Sequence, residues 1–241
     1  MNAPTHPRSL LQVTSLRKTY AGQPALADVS FDVRRNEVLG LIGPNGAGKT
    51  TLLEGIAGLL PVDSGAVTWE GVPLPPVRRR SLLFYLPDGV RPWHDQYVSR
   101  VLGFFGGVYR RSQRQIAGVV ESVGLAPALN KRVLALSKGY MRRLIWALAL
   151  LAPHPLLLMD EPFDGFDLKQ TGEMTPLLRG LSSGGRTLVL SIHQLRDAEI
   201  VCDRFVLLSA GRVCGIGTLD ELRARTNQAC GGLEEVFLAL T

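Results

Sequence analysis

Two kinds of apolar pattern share this chain. From Leu11 to Val33 the hydrophobic positions follow a period of two, with Val29, Phe31 and Val33 on one side and Asp28, Ser30 and Asp32 on the other. That alternation predicts antiparallel strands with one face on a core and one in water. "AVTWEGVPL", residues 66–74, predicts another strand and turn of the same kind. Four other stretches, "VLGLIG", "LLFYL", "LLLMD" and "LVLSIH", are apolar without alternation. Runs of this length predict parallel strands buried on both faces. Helical periodicities separate them, so the core is α/β.

Between "LLFYL" and "LLLMD" lies a long, mostly helical segment. Ile116, Val119, Val120 and Val123 mark one helix, and Tyr140, Leu144, Ala147, Leu148 and Leu151 share a face of another. The segment is too long for a simple crossover and predicts an inserted helical subdomain over about 89–150. Residues 1–10 are expected to form a loose tail before a domain spanning 11–241. The stretch 218–241 is expected to form its C-terminal tail. No internal repeat or low-complexity segment interrupts the pattern.

The first continuous run leads into "GPNGAGKTT". Gly43 to Thr50 satisfies G-x-x-x-x-G-K-[ST], with a buried strand before it and an amphipathic helix after it. Gly46 and Gly48 let backbone amides turn inward around phosphate oxygens. Lys49 supplies a cation for the β and γ phosphates, and the Thr50 hydroxyl can ligate Mg²⁺. Asp160 ends the run "LLLMD", where a carboxylate holds the metal's coordination shell. Glu161 follows and points to the other side, a candidate general base for an attacking water. His193 ends "LVLSIH" at the same sheet edge, where open α/β sheets bind ligands, and is a candidate sensor of the γ-phosphate. "LSKGY", residues 136–140, opens the helix through Leu151. By itself it reads either as a Ser137 N-cap or as an anion cradle at a helix N-terminus.

Bulk properties narrow the class. The chain has 241 residues, 46% of them hydrophobic and 20% charged, an ordinary globular balance. Its longest apolar runs are too short to cross a bilayer, and "MNAPTHPRSLLQV" has no signal-peptide core. Residence in the cytosol is therefore expected. Three cysteines without metal spacing fit reduced thiols. The net charge of +6 comes partly from clusters at Arg78–Arg80, Arg110–Arg111 and Arg142–Arg143. No zinc finger, RNA-binding aromatic pattern or long basic arm accompanies them, so no nucleic-acid partner is expected.

Taken together these residues resemble the ATP-binding subunits of ABC transporters. "GPNGAGKTT" (Gly43, Pro44, Asn45, Gly46, Ala47, Gly48, Lys49, Thr50, Thr51) is similar to the Walker A motif, and "LLLMDEP" to Walker B. "DGFD", ending at Asp167, resembles the D-loop, and His193 the switch histidine. Tyr20 resembles the aromatic that stacks on adenine, and "LSKGY" stands in the place of the LSGGQ signature. The resemblance implies a P-loop NTPase core with an antiparallel β subdomain and the helical insertion. It implies ATP and Mg²⁺ as cofactors, and a second ATPase subunit, itself or a paralogue, paired head to tail. Ser137 and Gly139 of one subunit then meet the γ-phosphate held by the other. A separate membrane-spanning permease is implied as partner, which places the subunit at the cytoplasmic face of the membrane.

Three residues depart from the family pattern. Lys138 replaces the first signature glycine, a variant that resembles export-type members. Tyr140 replaces glutamine. In "YLPDGVRPW" Asp88 stands where the family has its Q-loop glutamine, and Mg²⁺ or a nearby arginine is expected to screen it, Arg91 being the candidate close in sequence. The C-terminal stretch resembles exporters of drugs, lipids, polysaccharides or sodium. A soluble ABC ATPase acting on ribosomes, DNA or cofactor assembly is the alternative. A GTPase is disfavoured because "NKRV" at Asn130 lacks the aspartate of the guanine motif.

Overall fold

A computed structural model describes residues 9–226 and 230–241. The chain begins with β1 (Ser9–Tyr20) and β2 (Gln23–Arg34), antiparallel and joined at Ala21 and Gly22. Both turn residues have positive φ, +46° and +81°, the two-residue geometry whose twist matches that of the flanking strands. Of the expected tail 1–10, residues 1–8 lie outside the described residues, and Ser9 and Leu10 belong to β1, with Leu10 buried. Next come β3 (Val38–Ile42), α1 (Lys49–Ala57), β4 (Ser64–Trp69), β5 (Val72–Pro73), α2 (Pro76–Arg79) and β6 (Leu83–Leu86). The insertion then supplies α3 (Val98–Val108), α4 (Gln113–Ser122) and α5 (Lys138–Leu151).

After the insertion follow β7 (Leu156–Asp160), α6 (Leu168–Ser183), β8 (Thr187–Ile192), α7 (Leu195–Val201), β9 (Arg204–Ser209) and β10 (Arg212–Gly217). The C-terminal stretch folds as α8 (Leu219–Thr226) and α9 (Leu233–Leu240). Leu222, Leu233 and Val236 sit in the core, so these two helices are part of the domain. Strands β2-β1-β4-β5 form one antiparallel sheet, and β10-β9-β3-β8-β7-β6 form the second. The second sheet is parallel except for its edge strand β10.

The missing alternation in the central strands has a direct cause. Val38 and Ile42 of β3 face the core shared with the helices, while Leu39 and Leu41 face the core shared with the antiparallel sheet and α1. Leu157 and Met159 of β7 likewise oppose Leu156 and Leu158. Both faces are covered, so every position is apolar. The same double coverage changes α5. Its residues from Leu144 to Leu151 are all buried, well beyond the single face that the periodicity predicts. Its second half runs through the main core among β7, α6 and the helical insertion, and Trp146 is fully buried with its indole N–H donating to the Pro162 carbonyl at 2.9 Å.

Two strands are absent from the sequence-based expectation. β9 and β10 extend the parallel sheet beyond β3. Arg204 opens β9 at 2% exposure and reaches across to β2, where its guanidinium donates to the Asp32 carbonyl at 2.6 Å and to its carboxylate at 3.2 Å. A charged residue at that depth masks the apolar run behind it, Phe205–Leu208, and β10 is broken by Gly215 and Gly217.

Candidate nucleotide site

The parallel strands place their C-terminal ends along one edge. Ile42 pairs with Ile192, and Asp160 with Ser191, so the loops leaving β3, β7 and β8 converge. The loop after β3 runs from Gly43 to Gly48. Gly46 and Gly48 have φ of +82° and +100°. A Cβ on Gly43 would stand 2.2 Å from the Leu208 carbonyl oxygen, and one on Gly48 2.5 Å from that of Ala25. Close approach therefore requires glycine at 43, and close approach together with conformation requires it at 48. Lys49 opens α1 and is 7% exposed, yet its ammonium donates to the Gly43 carbonyl at 2.8 Å and lies 3.5 Å from Glu161 Oε1.

Around it the polar side chains form one chain of contacts. Thr50 Oγ1 donates to Asp160 Oδ2 at 2.7 Å, and the Ser191 hydroxyl donates to Asp160 Oδ1. Ser191 Oγ in turn accepts from the Glu161 backbone N–H at 2.9 Å. Glu161 Oε2 lies 2.7 Å from His193 Nδ1 and accepts the His193 backbone N–H at 3.2 Å. An ionised carboxylate only accepts, so Nδ1 carries the proton in this contact. Glu161 holds φ of +48°, a conformation rare for a residue with a side chain and typical of functional turns. Thr50 and Asp160 present the hard oxygen donors that Mg²⁺ takes, and the loop's cation and inward-turning glycines suit phosphate oxygens.

Ser191 was not among the expected site residues. It sits inside an apolar run, and only the register with Asp160 reveals it. Tyr85, also inside an apolar run, was missed too. Its hydroxyl is buried without a partner, and burial, with Asp160, Glu54 and Asp88 nearby, pushes its pKa up, so it stays a donor.

The other expected residues lie apart from this group. Tyr20 ends β1 at 46% exposure, with Lys18 Nζ 5.4 Å from its ring centroid. Ser137 is the N-cap of α5 and accepts the Tyr140 N–H at 3.3 Å. Gly139 faces the Gln170 side chain. Asp167 caps α6, accepting the Gln170 N–H at 2.8 Å. Among the described residues no hydrogen bond joins Ser137, Gly139 or Asp167 to Lys49, Thr50 or Asp160. Asp88 borders a groove of about 690 Å³ lined also by Arg91, His94, Lys138, Arg142 and Asp164. The expected screen, Arg91, makes no ion pair among the described residues. Arg142 holds that place, 3.5 Å from Asp88, because α5 brings it across the fold.

Comparison with known proteins agrees with this arrangement. The family model "ABC transporter" matches residues 26–164. The Nod factor export ATP-binding protein I of Rhizobium meliloti is 36% identical over 215 residues, which is 86% of this chain and 63% of that protein. This chain thus spans less than two thirds of that relative's length. The ABC-type transporter ATP-binding protein EcsA of Bacillus subtilis is 30% identical over 239 residues, 97% of each chain. A solved ATP-binding subunit of an ABC transporter superposes with a TM-score of 0.83 at 30% identity, covering 96% of this chain and 99% of that one. With the phosphate loop, the strand-end carboxylates and the helical insertion in place, the chain belongs to the ATP-binding subunits of the ABC transporters.

Proposed function

We propose that this subunit binds MgATP on the Gly43–Thr51 loop and hydrolyses it to power a separate membrane permease, an exporter. The carrying observation is the unbroken contact chain Thr50–Asp160–Ser191–Glu161–His193 beside Lys49. In this reading Thr50 and Asp160 hold Mg²⁺, which neutralises charge on the phosphates. Lys49 leaves its carbonyl partners for the β and γ phosphates. Glu161 accepts a proton from the attacking water, and His193 in its doubly protonated form donates through Nδ1 to Glu161 and through Nε2 to the γ-phosphate. Ser137 and Gly139, with Asp167 beside them, face the nucleotide of a second ATPase subunit paired head to tail. Tyr20 stacks on adenine.

No helix among the described residues is long and apolar enough to cross a membrane. The permease is proposed, on the family resemblance, as a separate chain seated on the groove beside Asp88 and holding the subunit at the cytoplasmic face of the membrane. The export direction is supported by the Lys138 signature variant and by the name of the Nod factor export relative. Lys49→Ala tests the reading. MgATP affinity, measured by titration calorimetry, should fall by about a hundredfold as a buried phosphate cation is lost. Wild-type affinity in that variant would remove the assignment.

A further inference from the structure

Arg142 lies in the second turn of α5, one turn beyond the signature residues, and its side chain is only 12% exposed. Its guanidinium reaches two other segments. Nε donates to the Asp164 carbonyl at 2.7 Å, and Nη2 lies 3.2 Å from Asp164 Oδ2 and 3.5 Å from Asp88 Oδ1. One planar fork thus joins the loop after β6, the loop after β7 and the signature helix. Lysine, a single point charge, reproduces the charge of this arrangement and not its three contacts. Without the cation, Asp88 and Asp164 leave two carboxylates on one wall of the groove with no ion-pair partner among the described residues.

We infer that Arg142 is a positioning residue for the nucleotide site: it neutralises Asp88 and ties it to the Asp164 loop, so that a carboxylate at this position tolerates the γ-phosphate. The inference rests on the proposed MgATP site: Asp164, which Arg142 holds, borders both this groove and the pocket of Glu161, Ser191 and His193, and the charges of Asp88 and Asp160 both reach the Tyr85 hydroxyl. An aspartate near a polyanion repels it unless its charge is matched, and the repulsion acts over several ångströms at the dielectric of a part-exposed groove. The role is therefore electrostatic first and mechanical second, which separates it from simple glue between loops.

The experiment measures the MgATP dissociation constant by calorimetry for wild type, Arg142→Gln, Asp88→Asn and the double variant, with a thermal melt of each to confirm folding. Arg142→Gln is expected to weaken MgATP by about fivefold, the upper end for a part-exposed ion pair. Asp88→Asn on top of it is expected to restore affinity to within about twofold of wild type, because the charge needing a screen is gone. A merely structural arginine would give a double variant as weak as Arg142→Gln or weaker, and that result overturns the inference, as does unchanged affinity in Arg142→Gln. Should Arg142→Gln fail to fold, Arg142→Lys carries the test: the retained charge should keep affinity within about twofold of wild type, and a fivefold loss overturns the screening role. A wild type that binds no MgATP would sink the nucleotide assignment itself. Wild-type binding without rescue sinks only the role of Arg142.

Discussion

At the phosphate loop, Lys49, Thr50, Asp160, Glu161 and Ser191 bond to one another or to the loop backbone. At the mouth of α5, exposed Ser137 accepts one N–H from its own helix. The first region is complete within one chain. Its cation donates to carbonyls and lies beside one carboxylate, and Asp160 is held by two hydroxyls. The second presents a helix N-terminus to solvent beside the exposed cation Lys138, with first-turn backbone donors open to a partner. Under the proposed function, a site split in this way calls for a second subunit: one half would hold the phosphates, and the other would offer donors to phosphates held elsewhere.

Changing the self-contained half should stop chemistry without stopping assembly. Glu161→Gln keeps the side chain's size and removes its basicity, so hydrolysis should fall by about 10²- to 10³-fold. Dimers formed in MgATP should then persist, and gel filtration with and without nucleotide will show them. A variant that hydrolyses at the wild-type rate would move the base elsewhere. One that stays monomeric in MgATP with its permease supplied would break the division between the halves.

Changing the outward half should do the reverse. Ser137→Ala removes the N-cap, at a cost of about 1 kcal/mol to folding, and removes a hydroxyl offered to the partner's nucleotide. MgATP binding to the isolated subunit should be unchanged, while the subunit concentration needed for ATP-driven dimerisation should rise by roughly tenfold, as expected for loss of a charge-assisted hydrogen bond. Sedimentation across a concentration series measures this. Equal dimerisation by wild type and variant would return Ser137 to the role of an ordinary cap.

The self-contained half was largely legible in the sequence, and the split was legible only through resemblance. Gly43–Thr50, Asp160 and His193 sit at the ends of continuous apolar runs, so strand ends and chemistry coincide in the linear order. Ser191 does not announce itself, since it lies within an apolar run and matters through Asp160, brought to it by register; Tyr85 also lies within an apolar run, and its buried hydroxyl comes into view only in the fold. Sequence proximity points to Arg91 as the cation beside Asp88, yet the cation is Arg142, 54 residues away, brought there by the packing of α5. Sequence proximity is a poor guide to ion pairing wherever an inserted subdomain folds back on the core. β9 was hidden by Arg204, a buried charge that reads as surface until Asp32 is seen to meet it.

Asp197 gives the smallest and most discriminating test of how complete the first region is. It lies in the first turn of α7, is 3% exposed, and has a carboxylate oxygen with no partner. It shares a small pocket with Glu161, Ser191 and His193. Burial raises its pKa, and the charge of nearby His193 opposes the rise. A carboxyl with a folded pKa above its unfolded value binds its proton more tightly in the native state. Its burial therefore weighs against stability at neutral pH, and that cost fades as pH falls through the folded pKa. Asp197→Asn keeps the shape without the charge. It should raise stability at pH 7 by about 1 kcal/mol, the low end for an unsatisfied buried group. The gain should shrink as pH is lowered toward the ordinary carboxylate range, which denaturant melts at a series of pH values will follow. A variant less stable than wild type at pH 7 would mean that the Asp197 charge is matched by His193, and that the contact chain of the phosphate half extends one residue further than Glu161.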